Sequence, residues 1–101
     1  MLPIERFFKS NTIENLWIYI LSLLEKRKIY GWEIPKLIER GFGFKPGRIT
    51  PYRVLYRLEK DGFVKSKTSE RRRVYEITEK GKKELEKARS FYEKILKWLE
   101  D

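Results

Sequence analysis

The sequence contains no cysteine and no histidine among its 101 residues. Disulfide bonds, thiolate or imidazole metal sites and histidine-based nucleophile pairs therefore cannot be built from it. No paired-carboxylate or serine-based motif stands out either. We therefore expect no enzyme, no metal site and no cofactor.

Long hydrophobic segments are also lacking. The longest apolar run, LWIYILSLL at residues 16–24, has nine residues, whereas roughly 20 are needed to cross a bilayer. The opening MLPIERFFK has no apolar core of the kind that a signal peptide requires. The sequence predicts a cytoplasmic chain with no membrane partner.

Acidic residues are too few to balance the basic ones. The chain has 24 Lys and Arg against 15 Asp and Glu, a net charge of +9. Residues 48–73 carry nine bases and three acids, so most of the excess lies there, whereas residues 79–101 carry seven bases and six acids. Such a local excess favours an anionic partner such as nucleic acid.

Apolar residues at helical spacing predict two helices in the first half of the chain. The first spans residues 13–26, with Asn11 and Glu14 as its N-terminal capping pair. The second starts near Trp32, so that Pro35 falls in its first turn, and stops at Gly41. The segment GFGFKPGR then predicts a loop whose two phenylalanines cover the core.

A third helix is predicted from Thr50, as N-cap, to Asp61, with Gly62 ending it. Its apolar residues point one way, and its outer face bears Tyr52, Arg53, Tyr56 and Lys60, with Arg57 on the flank.

Residues 63–78 change to a period of two, which predicts two strands joined by a turn near Ser69. A last helix follows from Thr78, its predicted N-cap, to the end. Its apolar residues recur at steps of three and four and form a seam suited to pairing with a second chain. This seam consists of Leu85, Ala88, Tyr92, Ile95 and Leu99.

The third helix has bases where acids usually lie, since Arg48 precedes it and Arg53 falls in its first turns. A phosphate would relieve that conflict, because free backbone N–H groups and the helix dipole favour an anion there. Arginine side chains can then reach guanine edges in a major groove, and tyrosines can contact phosphates or thymine methyls. We predict DNA contacts from Arg48, Thr50, Tyr52, Arg53, Tyr56, Arg57, Lys60, Arg71, Arg72 and Arg73.

The order helix, helix, recognition-type helix and two-stranded ribbon is that of a winged helix-turn-helix. Over residues 16–85 the sequence resembles the PadR family of transcriptional regulators. The resemblance is carried by YGWEI at 30–34, PYRVLYRLEKDGF at 51–63 and RVYEITEKG at 73–81. One departure is that family members commonly have Leu-Tyr-Pro in the third helix, whereas here Pro51 precedes Tyr52.

The resemblance implies a mainly α-helical fold with a β-hairpin wing. Residues 1–78 form the DNA-binding part and residues 79–101 a C-terminal dimerisation helix, together one compact domain. It further implies a homodimeric repressor on a pseudo-palindromic double-stranded DNA operator. Some family members bind small aromatic effectors at the dimer interface, for which Phe91, Tyr92 and Trp98 are candidates here, although such a stripe also suits a plain core or dimer seam.

Two other binding functions fit the same residues. A basic surface with tyrosines also suits a non-specific or architectural nucleic-acid-binding protein, or one that binds RNA. The amphipathic last helix would also suit an adaptor that binds a membrane surface or a protein. Preference among duplexes and binding to liposomes would separate these alternatives.

Overall fold

A computed structural model describes all 101 residues, from Met1 to Asp101. The chain forms five α-helices and three short strands, and two 3₁₀ turns, Ile13–Asn15 and Gly31–Glu33, precede α2 and α3. The helices are α1 (Pro3–Ser10), α2 (Leu16–Lys26), α3 (Ile34–Phe42), α4 (Thr50–Lys60) and α5 (Glu79–Glu100). The strands are β1 (Ile29–Tyr30), β2 (Val64–Ser69) and β3 (Arg72–Ile77). None of the helices has the length and apolar content that a membrane crossing requires.

The sheet is antiparallel, and β3 lies between β1 and β2. Strand β1 pairs Ile29 with Tyr75 and Tyr30 with Val74. This strand was not predicted, because two residues are too few to show a period. The hairpin of β2 and β3 is the predicted wing, and β1 fastens its base to the helical part.

The wing turns through Glu70 and Arg71, which both have positive φ, 52° and 66°. A two-residue turn with positive φ at both positions matches the twist of a β-hairpin. The predicted turn near Ser69 is therefore confirmed, although Arg71 lies in the turn and β3 begins at Arg72.

The core lies between the helices and the base of the sheet. Helix α2 contributes most to it, and α3, α4, α5 and all three strands each contribute at least one side chain. The buried apolar residues are Leu16, Ile20, Leu21, Leu24, Ile29, Ile34, Ile38, Leu55, Leu58, Val64, Tyr75 and Leu85. The predicted loop phenylalanine Phe44 packs on this core, with its ring 5.0 Å from that of Tyr19.

The N-terminus differs from the prediction. The segment at residues 3–10 forms a helix of its own, and Asn11 follows its C-terminus instead of capping α2. The Asn11 side-chain amide donates to the carbonyl oxygen of Phe7 at 2.8 Å. An amide carries a donor as well as an acceptor, so Asn can satisfy the free carbonyl groups at a helix end. Glu14 accepts from the Ser10 hydroxyl at 3.2 Å.

The other helix ends fall within two residues of their predicted positions. Helix α3 starts at Ile34 with Pro35 in its first turn, and it ends at Gly43, with φ of 78°, instead of Gly41. A C-cap of this kind requires a residue that tolerates a positive φ. Gly43, and not Gly41, adopts that left-handed conformation. Helix α4 begins at Thr50. Its N-cap is Ile49, one residue before the predicted N-cap Thr50.

Thr78 caps α5 as predicted, because its hydroxyl oxygen accepts from the backbone N–H of Gly81 at 3.1 Å. The same hydroxyl donates to the carbonyl oxygen of Gly62 at 2.7 Å. The start of α5 is therefore tied to the turn between α4 and β2, and Leu85 is the last residue of α5 that is buried.

Candidate nucleic-acid interface

Helix α4 presents the polar face that its sequence predicted. Pro51, Leu55 and Leu58 are buried, whereas the five predicted outer residues are exposed, with Tyr56 at 69%. The outer side chains are therefore free to contact a partner without disturbing the core. These five are Tyr52, Arg53, Tyr56, Arg57 and Lys60.

The N-terminal end of α4 has no acidic residue in its first turn. Arg48 is exposed immediately before it, and Thr50 is half-buried. Ile49, at the N-cap, exposes 67% of its surface. The combination of a helix N-terminus without acids, an adjacent arginine and an exposed aliphatic side chain suits a phosphate beside a thymine methyl.

The α4 face has two flanks. On one, Tyr52 lies against the turn before α3, where its ring is 3.6 Å from the position that a Cβ on Gly31 would take. On the other, Arg53 and Arg57 line an open groove together with Trp17 and Phe63. The helical period predicted Arg57 alone on a flank of α4. In the structure Arg53 lies on the same flank as Arg57.

The wing has one predominantly basic face. Residues that are directly opposite in an antiparallel pair share a face, so Lys65, Lys67 and Arg72 lie on the side of Val74. The one acid there, Glu76, forms ion pairs with Lys28 at 3.4 Å and Lys65 at 3.1 Å. Hydrogen bonds from these lysines, that of Lys65 foremost, lower the pKa of Glu76.

Arg73 lies on the opposite face of the wing from Arg72 and reaches toward α4. Its guanidinium donates to the Ser66 hydroxyl at 2.9 Å, and that hydroxyl donates to the Glu59 carboxylate at 2.6 Å. Below them, burial raises the pKa of Tyr75, and the nearby Glu59 carboxylate adds to that effect. Ser66 therefore links the wing to α4, and Arg73 holds Ser66 from the opposite strand. The three consecutive arginines do not form one surface.

Several exposed residues of this region were missing from the predicted contacts. The strand register is needed to place Lys65 and Lys67 on the same face of the wing as Arg72. Ile49 and Trp32 are large apolar side chains left exposed, Trp32 by 56%. Only the alternation of Lys65 and Lys67 with Val64, Ser66 and Thr68 was a usable signal in the sequence.

The C-terminal seam requires one correction. Leu85 is 2% exposed and packs in the core of its own chain, so it is not available to a partner. Ala88 is half-buried, and beyond it the apolar side chains are exposed. The large ones are Phe91, Tyr92, Ile95, Leu96, Trp98 and Leu99.

Helix α1 adds apolar surface that was not predicted from the sequence. None of its residues is buried, and its neighbour Asn11 accepts a hydrogen bond from the Tyr92 hydroxyl of α5 at 2.9 Å. The large exposed apolar residues in and next to α1 include Leu2, Ile4, Phe7 and Phe8.

The three aromatic residues considered for an effector are not brought together. Phe91 and Tyr92 are in contact, with ring centroids 6.3 Å apart, and both line a hollow between α5 and the start of α2. Trp98 lies further along α5 and is 80% exposed.

The model of the transcriptional regulator PadR-like family matches residues 20–87. That range runs from the middle of α2 through the wing into α5. A search of curated proteins found no match to the chain.

Solved structures of several transcriptional regulators are similar to the chain. A transcriptional regulator from Clostridium thermocellum has a TM-score of 0.74 at 34% identity, over 82% of this chain and 87% of that one. A PadR family regulator from Clostridium difficile has a TM-score of 0.73 at 34% identity, over 82% and 92% of the two chains. Bacillus subtilis PadR, solved in complex with operator DNA, has a TM-score of 0.67 at 27% identity, over 74% of this chain but 46% of that one.

Proposed function

The chain belongs to the PadR-like family of transcriptional regulators, DNA-binding winged-helix proteins and not enzymes, and from this we propose that it is a sequence-specific repressor. In this proposal it binds double-stranded operator DNA as a homodimer. The observation that carries the proposal is the exposed outer face of α4, which is opposite the buried Pro51, Leu55 and Leu58 and takes no part in the core.

The outer face of α4 suits a major groove, because a recognition helix reads base edges through residues near its N-terminus. Arg53 and Arg57 are the base-reading candidates, since an arginine can donate two hydrogen bonds to one guanine. Tyr52, Tyr56 and Lys60 contact the sugar-phosphate backbone or thymine methyls. Bacillus subtilis PadR, with the same fold over the matched part, was solved with operator DNA, which supports this mode of binding.

The basic face of the wing follows the DNA backbone beside α4. Lys65, Lys67 and Arg72 form a row of positive charge on the Val74 side. Contacts of this kind neutralise phosphates and add affinity without reading sequence. The hydrogen bond from Ser66 to Glu59, with Arg73 donating to the same Ser66 hydroxyl, joins the wing to α4.

The dimer forms through α1 and the outer half of α5. Ten large apolar side chains are exposed on and next to these two helices, and large exposed apolar surfaces mark sites of protein interaction. The charges beyond Phe91 are mixed, with Lys94 and Lys97 against three acids. A surface of this kind can pair with its own copy about a two-fold axis.

Two linked half-sites then account for both affinity and repression. A dimer presents two α4 helices to successive major grooves of a pseudo-palindromic site, and occupancy of that site excludes the transcription machinery. The hollow beside Phe91 and Tyr92 lies at this dimer surface. An inducer of this protein would be a small aromatic molecule that binds there.

Selection of bound duplexes from a random pool, followed by footprinting on genomic DNA, tests the proposal. A regulator should yield one pseudo-palindromic motif and bind it at least roughly 10³-fold more tightly than random duplex at physiological salt. Recovery of no motif, with equal affinity for all duplexes, would instead indicate a non-specific nucleic-acid-binding protein.

A further inference from the structure

Trp32 lies in the 3₁₀ turn before α3 and exposes 56% of its surface. The guanidinium carbon of Arg72 lies 5.4 Å from the centroid of the Trp32 ring. A guanidinium over the face of an aromatic ring is attracted by the negative charge of that face, and tryptophan binds cations best. The base of the wing and its tip are therefore connected through this pair.

The backbone around Trp32 is held firmly. Gly31 is buried, and a Cβ there would lie 3.1 Å from the ring of Tyr75. The Glu33 carboxylate accepts from the backbone N–H of Tyr30 at 2.9 Å. The ring of Tyr30 stacks near that of Trp32, with centroids 6.5 Å apart and planes 22° apart. Trp32 thus gives Arg72 a support whose backbone is fixed by Glu33 and by the base of β3.

Arg72 differs from both neighbouring arginines. Arg71 lies in the turn, and Arg73 donates to Ser66 on the other face of the wing. The side chain of Arg72 makes no hydrogen bond or ion pair with any protein group, and its guanidinium lies over the Trp32 ring. All its side-chain N–H donors remain free while the side chain is held, so it loses less conformational entropy when it binds an anion.

We infer that Trp32 is a positioning residue that holds Arg72 ready for a DNA phosphate beside the wing. This rests on the proposed function for the identity of the partner. The ring does not contact DNA; it acts only through Arg72. Removal of the ring should therefore matter only while Arg72 is present.

A double-mutant cycle on the full chain tests this with Trp32→Leu, Arg72→Ala and the double variant. Dissociation constants are measured over a salt series on the selected duplex and on a random one. Trp32→Leu should weaken binding to both duplexes roughly two- to fivefold, the value of an exposed cation–π pair. Arg72→Ala should weaken it more and should make the negative slope of log affinity against log salt shallower by roughly 0.9, because one phosphate is no longer neutralised. The double variant should match Arg72→Ala alone.

Trp32→Phe is the matched control, because it keeps a ring under Arg72 and should restore most of the affinity. Losses that multiply in the double variant would overturn the inference, since Trp32 would then act independently of Arg72. An unchanged affinity of Trp32→Leu would overturn it as well. The coupling between Trp32 and Arg72 can be measured on random duplex even if the wild-type protein shows no sequence preference. Failure of the proposed function can therefore be distinguished from failure of this inference.

Discussion

The hydroxyl of Tyr92 donates to the side-chain oxygen of Asn11 across 2.9 Å, joining residues that are 81 positions apart. The amide nitrogen of the same Asn11 donates to Phe7 in α1, and its backbone oxygen accepts from the Tyr19 hydroxyl. One residue therefore sets α1 relative to both α2 and α5. The Tyr92–Asn11 hydrogen bond is the one hydrogen bond between α5 and the N-terminal residues 1–11.

Asn11→Ala should release α1. The substitution removes both side-chain bonds, whose net value is about 0.5 to 1.5 kcal/mol each at most. Hydrogen exchange of amides in residues 3–10 should become faster while the core amides keep their protection. Tyr92→Phe is the control, because it removes the bond to α5 and leaves the cap of α1 intact. Equal exchange in α1 of Asn11→Ala and the wild type would contradict this role.

Gly81→Ala should destabilise the fold. A Cβ at this position would lie 2.1 Å from the carbonyl oxygen of Phe63, which is backbone and cannot turn aside. Crowding of this kind costs about 1 to 3 kcal/mol or more. Gly41→Ala is the matched control, since a Cβ there meets nothing within 4 Å, and it should stabilise α3 by about 0.4 to 1 kcal/mol. Urea unfolding of the two variants should show shifts of opposite sign.

Arg53→Ala and Arg57→Ala should separate sequence reading from folding. Each should cost about 1 to 3 kcal/mol on the selected duplex and much less on random duplex, with the melting temperature nearly unchanged. Leu58→Ala, at a core position that is 6% exposed, should instead lower stability by about 2 to 5 kcal/mol. Equal losses on selected and random DNA would remove base reading from the role of the arginine tested.

Ile95→Lys should weaken the dimer, because it places a charge among the exposed apolar side chains of α5. Specific DNA binding should weaken with it, since the two half-sites are no longer linked. Ser90→Lys places the same charge on the opposite side of α5 and should change neither property. Light scattering and DNA titration measure both effects. A wild-type chain that stays monomeric at micromolar concentration would rule out this dimer.

The attachment of α5 to α2 should depend on pH. The Arg89 guanidinium donates to both oxygens of Glu25, one of them at 3.2 Å, and this bond lowers the pKa of Glu25 below its ordinary value of 4.5. The folded chain then binds the proton less readily than the unfolded chain. The stabilisation is fully present above the ordinary pKa and is lost as the pH falls through the lowered value.

Glu25→Gln should therefore be less stable than the wild type near neutral pH and equally stable in strong acid. Thermal unfolding from about pH 7 to about pH 3 measures this difference. Glu39→Gln, on a carboxylate that forms no ion pair, should show no such convergence. A difference between wild type and Glu25→Gln that stays constant with pH would mean that the Glu25–Arg89 pair does not couple to folding.

Features that repeat along the backbone could be predicted from the amino-acid sequence. Side-chain direction follows a period of 3.6 in a helix and 2 in a strand, so the apolar residues of α2 and α4 identified both helices and their buried faces. Turn and cap chemistry located Thr78 and Gly62, because those groups act on neighbouring residues. The outer face of α4 followed from the same period.

Which distant groups meet depends instead on how the elements pack. Asn11 could cap the helix before it or the helix after it, and contacts with Phe7 and Tyr92 select the former. Leu85 fits the seam by spacing, but α5 packs on α2 there and buries it.

The arginines 71–73 form one basic run in the sequence but lie in three different settings in the fold. The two-residue turn and the strand register send Arg72 toward Trp32 and Arg73 toward Ser66. Side chains on opposite faces of a strand have different neighbours, and those neighbours come from elements that local spacing does not specify.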